Sequence, residues 1–306
     1  MQRRACFVTC ILTAAVFSHA PAAPLQQVVD DAVRATRAEF SAPELKADQL
    51  AVTVIDLRGA PPLHADYRGE ARIYPASVVK LCFLAYAHHL LERGELADSP
   101  ELQRALRDMI VESNNDATAT VVDYLTGTTA GPELPLPELA HWHEQRMAVT
   151  RWFAERGYAN VYAVRKTWAE GPYGREKQDA VVNLPARNFL STNATARLLR
   201  EIAEGRCITP DRSAQMLALL ARTPTAPSGG GHEEAEGLGF TGPALEPGMK
   251  LWSKAGWMSA ARHDAALIEL PDGGRVIIVT FTEGREHAGN RAIIAAVARR
   301  VLAALR

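Results

Sequence analysis

Ser77 and Lys80 lie three residues apart at the start of an apolar segment, Leu81 to Leu91, and they are the pair in this chain best suited to chemistry. The segment predicts a helix. Residues at positions i and i+3 share a helix face, so the Lys80 amine can reach the Ser77 hydroxyl. Burial disfavours a charged lysine, which can then take a proton from serine. The pair predicts an activated nucleophile; a serine that caps the helix is the alternative interpretation.

Two further motifs follow this pair along the chain. The first is Ser113, Asn114 and Asn115; the second is Lys254-Ala255-Gly256, within a run that predicts a strand. In this order the three motifs resemble the S-x-x-K, S-D-N and K-T-G set of penicillin-recognising serine enzymes, which include class A β-lactamases and penicillin-binding proteins. The resemblance is spread over most of the mature chain. It implies a serine hydrolase that forms an acyl-enzyme.

The resemblance implies catalytic roles for the first two motifs. Ser77 is the acylated nucleophile and Lys80 accepts its proton. Ser113 passes a proton toward the leaving nitrogen. Asn115 forms hydrogen bonds with the substrate and with Lys80.

The third motif and the residue after it are implied to bind the substrate. Lys254 holds the serine of the second motif and attracts a substrate carboxylate, and Ala255 and Gly256 belong to the same substrate-binding strand. The backbone N–H groups of Trp257 and of the nucleophile form the oxyanion hole.

Two residues depart from the family pattern. Asn114 stands where the family usually has aspartate, and this isosteric change falls at a position that is normally structural. Ala255 stands where the family usually has threonine or serine, whose hydroxyl commonly binds a carboxylate. Arg262 is a candidate replacement for that contact, with an ordinary surface arginine as the alternative. Substrate preference is therefore predicted to be more affected than the nucleophile.

Hydrolysis of the acyl-enzyme requires a base, and class A enzymes use a glutamate that activates water. The loop from Gly171 to Asp179 contains the first candidate, Glu176. Glu170 and Asp179 are the next candidates. A solvated charged loop is the alternative interpretation.

Three functions follow from these residues. The leading hypothesis is a β-lactamase that hydrolyses a small-molecule β-lactam. The second is a D,D-peptidase, amidase or esterase that acts on peptidoglycan fragments, on an acyl-peptide substrate or on other acyl donors, favoured by Ala255 and the altered loop. The third is a penicillin-binding sensor module without turnover, favoured because Glu176 lacks the asparagine companion of the family pattern.

The N-terminus predicts export. Arg3 and Arg4 precede an apolar run that gives way to small residues, which is typical of a secretory signal over residues 1–23. The expected localisation is secreted or periplasmic, without stable membrane insertion after cleavage; an uncleaved N-terminal anchor is the alternative. Cys82 and Cys207 remain in the mature chain, and we expect buried thiols, with a bridge between them left open.

Composition and the remaining motifs predict neither a nucleic-acid partner nor a cofactor. The net charge is −1 and basic runs are absent from the sequence. The histidine pairs His88-His89 and His141/His143 lack the partners and spacing of a zinc site. Gly229-Gly230-Gly231 lacks the Gly-Lys-Ser/Thr that completes a phosphate-binding loop. Oligomeric state is not predicted.

The order of predicted elements is strands, helices and then strands, which favours an α+β fold. We expect a five-stranded antiparallel sheet built from both chain ends and flanked by helices, with an inserted helical domain. The catalytic domain spans 24–306, with the α/β part at about 24–76 and 205–306 and the helical part at about 77–204. Predicted strands are Leu50 to Leu57, His64 to Ala71, Lys250 to Met258, Asp264 to Leu270 and Arg275 to Thr282; predicted later helices are Pro100 to Ile110, Asp116 to Leu125, Trp142 to Arg156, Asn193 to Ala203 and Ala288 to Ala304.

Overall fold

A computed structural model describes residues 24–168, 170–223 and 239–306. The predicted signal segment and the Gly229-Gly230-Gly231 loop lie outside these residues. Within the described ranges, the helices are too short or too polar to cross a bilayer.

The main feature is a six-stranded antiparallel sheet. Its strands are β1 (Leu50–Asp56), β2 (Leu63–Tyr67), β5 (Ala221–Arg222), β6 (Lys250–Met258), β7 (Ala261–Glu269) and β8 (Arg275–Glu283), and their order in the sheet is β2-β1-β8-β7-β6-β5. A second, small sheet pairs β3 (Val161–Tyr162) with β4 (Phe189–Leu190).

Most of the described helices lie in the chain between the early strands and the late strands of the main sheet. They are α1 (Leu25–Glu39), α2 (Lys80–Glu92), α3 (Pro100–Ile110), α4 (Asn115–Thr126), α5 (Leu136–Arg146), α6 (Ala148–Glu155), α7 (Gly174–Val182), α8 (Thr192–Ala203), α9 (Pro210–Leu220), α10 (Arg285–Ala288) and α11 (Ala292–Ala304). Short 3₁₀ turns lie at Ala47–Gln49, Ala76–Val79 and Gly242–Ala244.

The predicted α+β architecture is confirmed, with one strand more than expected. The sixth strand, β5, contains two residues that pair with Leu251 and Trp252 at the edge of β6. Two residues are too few to show the alternating pattern by which a strand is predicted. The single helix expected from Trp142 to Arg156 consists of α5 and α6, which meet at Met147.

Each face of the sheet packs against a different set of helices. Along β8, Ile277, Val279 and Phe281 join the core formed with α2, α3 and α8, whereas Val276 and Ile278 join the core formed with α1 and α11. This alternation is expected for a strand covered on both sides, since successive side chains point to opposite faces. The first core places the N-terminus of α2 against the sheet.

Candidate active site

Ser77 lies in the 3₁₀ turn that leads directly into α2. The residue before it, Ala76, has a φ of 45°, a left-handed conformation that is uncommon for a residue with a Cβ. The Val78 N–H donates to the Pro75 carbonyl at 3.0 Å and closes the turn. The turn leaves Ser77 partly exposed while its neighbours Val78 and Val79 are buried. The nucleophile candidate therefore stays accessible at the start of α2.

Two buried lysines converge on the hydroxyl of Ser113. Lys80 Nζ lies 3.2 Å from Ser113 Oγ and Lys254 Nζ lies 2.8 Å from the same atom. Lys80 is fully buried and Lys254 is 1% exposed. Lys80 also donates to the Ser113 carbonyl and, at 2.9 Å, to Asn115 Oδ1. The structure thus brings residues of all three sequence motifs into one hydrogen-bonded group.

A tight loop between α3 and α4 presents Ser113. Ser113 itself adopts a left-handed φ of 54°, and the Asn114 N–H donates to the Asp108 carbonyl at 3.0 Å. The Asn114 side chain caps α4 by accepting the Ala117 N–H at 2.8 Å. Asparagine and aspartate serve almost equally well at this position. This explains how the chain accommodates Asn114.

Gly256 allows β6 to approach the nucleophile. A Cβ on this residue would lie 2.8 Å from the Pro75 carbonyl oxygen and 2.9 Å from each of the Ser77 and Val78 backbone nitrogens. These distances are shorter than any side-chain carbon tolerates, so only glycine fits without a shift. The β6 backbone, including the adjacent Trp257, is therefore held beside Ser77.

Asn115 connects Lys80 to the segment that precedes α7. Its Oδ1 accepts from Lys80, and its Nδ2 donates to the Trp168 carbonyl at 3.4 Å. This second contact was not predicted. It involves a backbone carbonyl, which every residue has, so the sequence contains no signal for it.

The structure places Glu176 in a buried ion cluster. The carboxylate is 2% exposed, and its Oε1 pairs with Arg146 and lies 3.4 Å from Lys166 Nζ. Asp123 completes the cluster with contacts of 2.7 Å to Lys166 and 3.1 Å to Arg146. Glu176 lies in α7 and is buried, so the alternative interpretation, a solvated charged loop, is wrong at this position. The Oε1 oxygen of Glu176 is therefore engaged by two cations.

The other two candidate bases occupy different environments. Asp179 is fully buried, pairs with Arg165 and lies 2.9 Å from His143 Nδ1. Burial lowers the pKa of His143. Glu170 is exposed, and its Oε2 accepts a 3.5 Å hydrogen bond from the Tyr173 hydroxyl.

A cavity of about 420 Å³ lies between the end of β6 and the segment before α7. Its walls include residues adjacent to the nucleophile turn and to the third motif, and also two of the candidate bases: Tyr74, Trp168, Glu170, Glu176, Arg187 and Met258. The cavity therefore lies beside the candidate active site, next to the nucleophile turn and the end of β6.

Arg262 forms a packed contact at the edge of this region. It is 4% exposed, donates to the Ala288 carbonyl at 2.6 Å, and stacks on the rings of Phe240 and Trp257. The Trp257 indole N–H donates to the same carbonyl at 3.0 Å. The surface-arginine interpretation of Arg262 is therefore wrong, because the side chain is buried.

Cys82 and Cys207 are buried free thiols in the structure. Burial raises the pKa of both, that of Cys207 to about 12. Across the described ranges, groups of three or more side chains suited to hold a metal ion do not occur.

Comparisons with known proteins identify the family and the fold of the chain. The profile described as the beta-lactamase enzyme family matches residues 97–305, which include the second and third motifs. Comparison with curated protein sequences gives no match.

Solved structures resemble the chain over nearly its whole length. A β-lactamase from Sphaerobacter thermophilus has 19% identity and a TM-score of 0.62 over 90% of this chain and 96% of its own. A β-lactamase from Xanthomonas campestris has 17% identity and a TM-score of 0.65 over 91% and 99%. PBP-A has 17% identity and a TM-score of 0.64 over 94% and 98%. At these identities the structures support the fold, and the profile match shows that this chain belongs to the beta-lactamase enzyme family.

Proposed function

We propose that this chain is a secreted serine hydrolase that is acylated at Ser77 by β-lactams and hydrolyses them. The observation that carries the proposal is the convergence of Lys80 and Lys254 on the Ser113 hydroxyl, beside the turn that presents Ser77. Burial of both amines removes water from the path along which a proton would move. The family membership supports a serine hydrolase of β-lactamase type.

The acylation step uses these residues in order. Ser77 Oγ attacks the lactam carbonyl carbon and transfers its proton to Lys80, while backbone N–H groups of Ser77 and Trp257 stabilise the oxyanion. The carbon–nitrogen bond then breaks. Ser113, held between the two lysines, delivers a proton to the leaving nitrogen and regains one from Lys80. Lys254 also attracts the carboxylate of the substrate.

Penicillin G is a suitable probe, because a PBP-A variant among the similar structures is described as its acyl-enzyme complex. We expect intact-mass spectrometry to show one added penicillin on the wild-type chain and none on Ser77→Ala. The exposed Ser41 provides the matched control, since Ser41→Ala should keep the adduct. Absence of an adduct and of turnover of a chromogenic cephalosporin in the wild type would refute the proposal.

The environment of Glu176 favours a second candidate, a D,D-peptidase or esterase on which β-lactams act as inhibitors. Pairing with Arg146 and Lys166 restricts this carboxylate as a base for deacylation. The time course separates the candidates: an adduct that decays within seconds favours the β-lactamase. An adduct that persists, together with release of D-alanine from a D-Ala-D-Ala peptide, favours the peptidase; persistence without peptide cleavage favours a sensor module.

Export is the remaining part of the proposal. It is supported by the basic residues, apolar run and small residues of segment 1–23. We expect cleavage between Ala20 and Ala23 or directly after them, so that the mature chain in the periplasmic fraction of an expression host begins between Pro21 and Pro24. Recovery of the uncleaved chain from the cytoplasm or the membrane would contradict it.

A further inference from the structure

Four charged side chains form a buried ion cluster next to the candidate active site. The ion cluster consists of Asp123, Arg146, Lys166 and Glu176. The side chains of Arg146, Glu176 and Lys166 are 0%, 2% and 3% exposed, and that of Asp123 is 26% exposed. Burial of charge is costly, and a well-packed apolar group is often as stable as a buried ion pair. A role in fixing geometry would account for such a cluster.

The ion cluster joins the same two pieces of chain that meet at the active site. Asp123 and Asn115 both belong to α4, while Lys166 and Trp168 lie two residues apart in the segment before α7. Lys166 Nζ pairs with Asp123 at 2.7 Å, and Asn115 Nδ2 donates to the Trp168 carbonyl at 3.4 Å. The pair of Lys166 with Asp123 is therefore a second contact between α4 and the segment before α7. It sets the distance between the Trp168 carbonyl and the Asn115 amide.

The Trp168 carbonyl decides which end of the Asn115 amide faces Lys80. A carbonyl accepts hydrogen bonds only, so it selects the NH₂ end of the amide. The oxygen end then faces Lys80 Nζ at 2.9 Å. If the amide were rotated by half a turn, its NH₂ group would face the amine of Lys80, which also only donates. Lys80 would then lose Asn115 as an acceptor.

We propose that Lys166 is a positioning residue of the active site. Its pairing with Asp123 holds the Trp168 carbonyl against Asn115, and Asn115 in turn holds the amine of Lys80 in the direction required for proton transfer. Lys166 acts through other residues and needs no contact with the substrate. The inference rests on the proposed function, because its kinetic readout is acylation of Ser77.

The kinetic test measures acylation by penicillin G with rapid-quench mass spectrometry. In Lys166→Met we expect the acylation rate constant to fall on the order of 10²-fold, the cost of misplacing a reacting group by about 1 Å, with the half-saturation concentration changed little. Lys166→Arg keeps a cation and should recover most of the loss. Lys250 provides the matched control, since its pair with Glu269 is exposed and Lys250→Met should leave the rate unchanged.

A double-mutant cycle separates positioning from general destabilisation. When Asn115 is already replaced by alanine, Lys166→Met should reduce the rate by less than about twofold, because a residue that acts through Asn115 then has no side chain left to position; about twofold is the usual error of such a cycle. An equal loss in both backgrounds would overturn the inference, as would a wild-type rate in Lys166→Met. If Lys166→Met does not fold, Asp123→Asn removes the same pair from its more exposed side.

A crystal structure of the variant distinguishes failure of the inference from failure of the proposed function. If penicillin G does not acylate the wild type, the proposed function fails while the positioning claim is still measurable. We expect the contact between Asn115 Nδ2 and the Trp168 carbonyl to be broken in Lys166→Met and kept in Lys166→Arg. An unchanged contact in Lys166→Met would overturn the inference.

Discussion

Replacement of Gly256 by alanine tests whether the approach of β6 to the nucleophile turn supports acylation. The new Cβ would lie 2.8 Å from the Pro75 carbonyl oxygen and 2.9 Å from the Ser77 and Val78 nitrogens. Ordinary contact begins near 3.4 Å, so the two segments would have to separate by about 0.6 Å. All three neighbours are backbone atoms, and a side-chain rotation therefore cannot relieve the clash.

The shift acts directly on the proposed oxyanion hole, since one of its N–H donors lies on each side of the widened gap. Misplacement by about 1 Å costs on the order of 10²-fold in rate, so a shift of this size should cost about 10-fold or more. We expect the acylation rate constant for penicillin G to fall by this factor, with Ser77 still chemically intact. The measurement is the same rapid-quench mass spectrometry, together with the midpoint of thermal unfolding.

Gly289→Ala is the matched control, because its added Cβ meets nothing within 4 Å and its φ of −75° suits any residue. This control should acylate at the wild-type rate. A Gly256→Ala variant that folds and also acylates at the wild-type rate would refute the claim that close packing of the two segments is required.

Three further predictions follow from single residues. Asn114→Asp should keep the helix cap and change the unfolding free energy by less than about 0.5 kcal/mol, whereas Asn114→Ala should cost about 1 kcal/mol in denaturant unfolding. Burial lowers the pKa of His263 to about 4 from 6.5. As the pH falls, this histidine is therefore protonated in the unfolded chain before it is protonated in the folded chain, which favours unfolding. This residue alone should remove about 3 kcal/mol of unfolding free energy between pH 6.5 and 4, and His263→Gln should flatten that slope; equal slopes would contradict it. Glu176→Gln should leave the lifetime of the penicillin adduct unchanged, because Glu176 is paired with Arg146; a lifetime at least about 10²-fold longer would instead identify it as the base.

Local patterns explain why the main elements were predictable. The helix Pro100 to Ile110 begins at a Ser99 cap followed by proline, and the strand Lys250 to Met258 has the length and composition of a strand; both were predicted with the observed bounds. Such signals arise within a few residues of the chain. The helix α1 and the two-residue strand β5 were missed, the latter because its pairing depends on a distant edge of β6.

The environment of Glu176 illustrates what local patterns leave open. Its sequence neighbours Arg175 and Lys177 are polar and are compatible with a solvated loop, yet the side chain is buried against Arg146, which lies 30 residues earlier in the chain. Charge and spacing identify a carboxylate but not its partner. The partner is set by how α5, α7 and α4 pack together.

The sequence by itself determined the three motifs, their order and the α+β class, because hydroxyl, amine and amide chemistry and the periodicity of strands and helices are properties of short segments. Only the tertiary structure decided that Lys80 and Lys254 meet at Ser113, that Gly256 touches the turn of Ser77, and that the Trp168 carbonyl orients Asn115. These contacts join residues far apart in the chain, and one of them involves a backbone atom that every residue has. Packing of the sheet against the helices brings them within hydrogen-bonding distance.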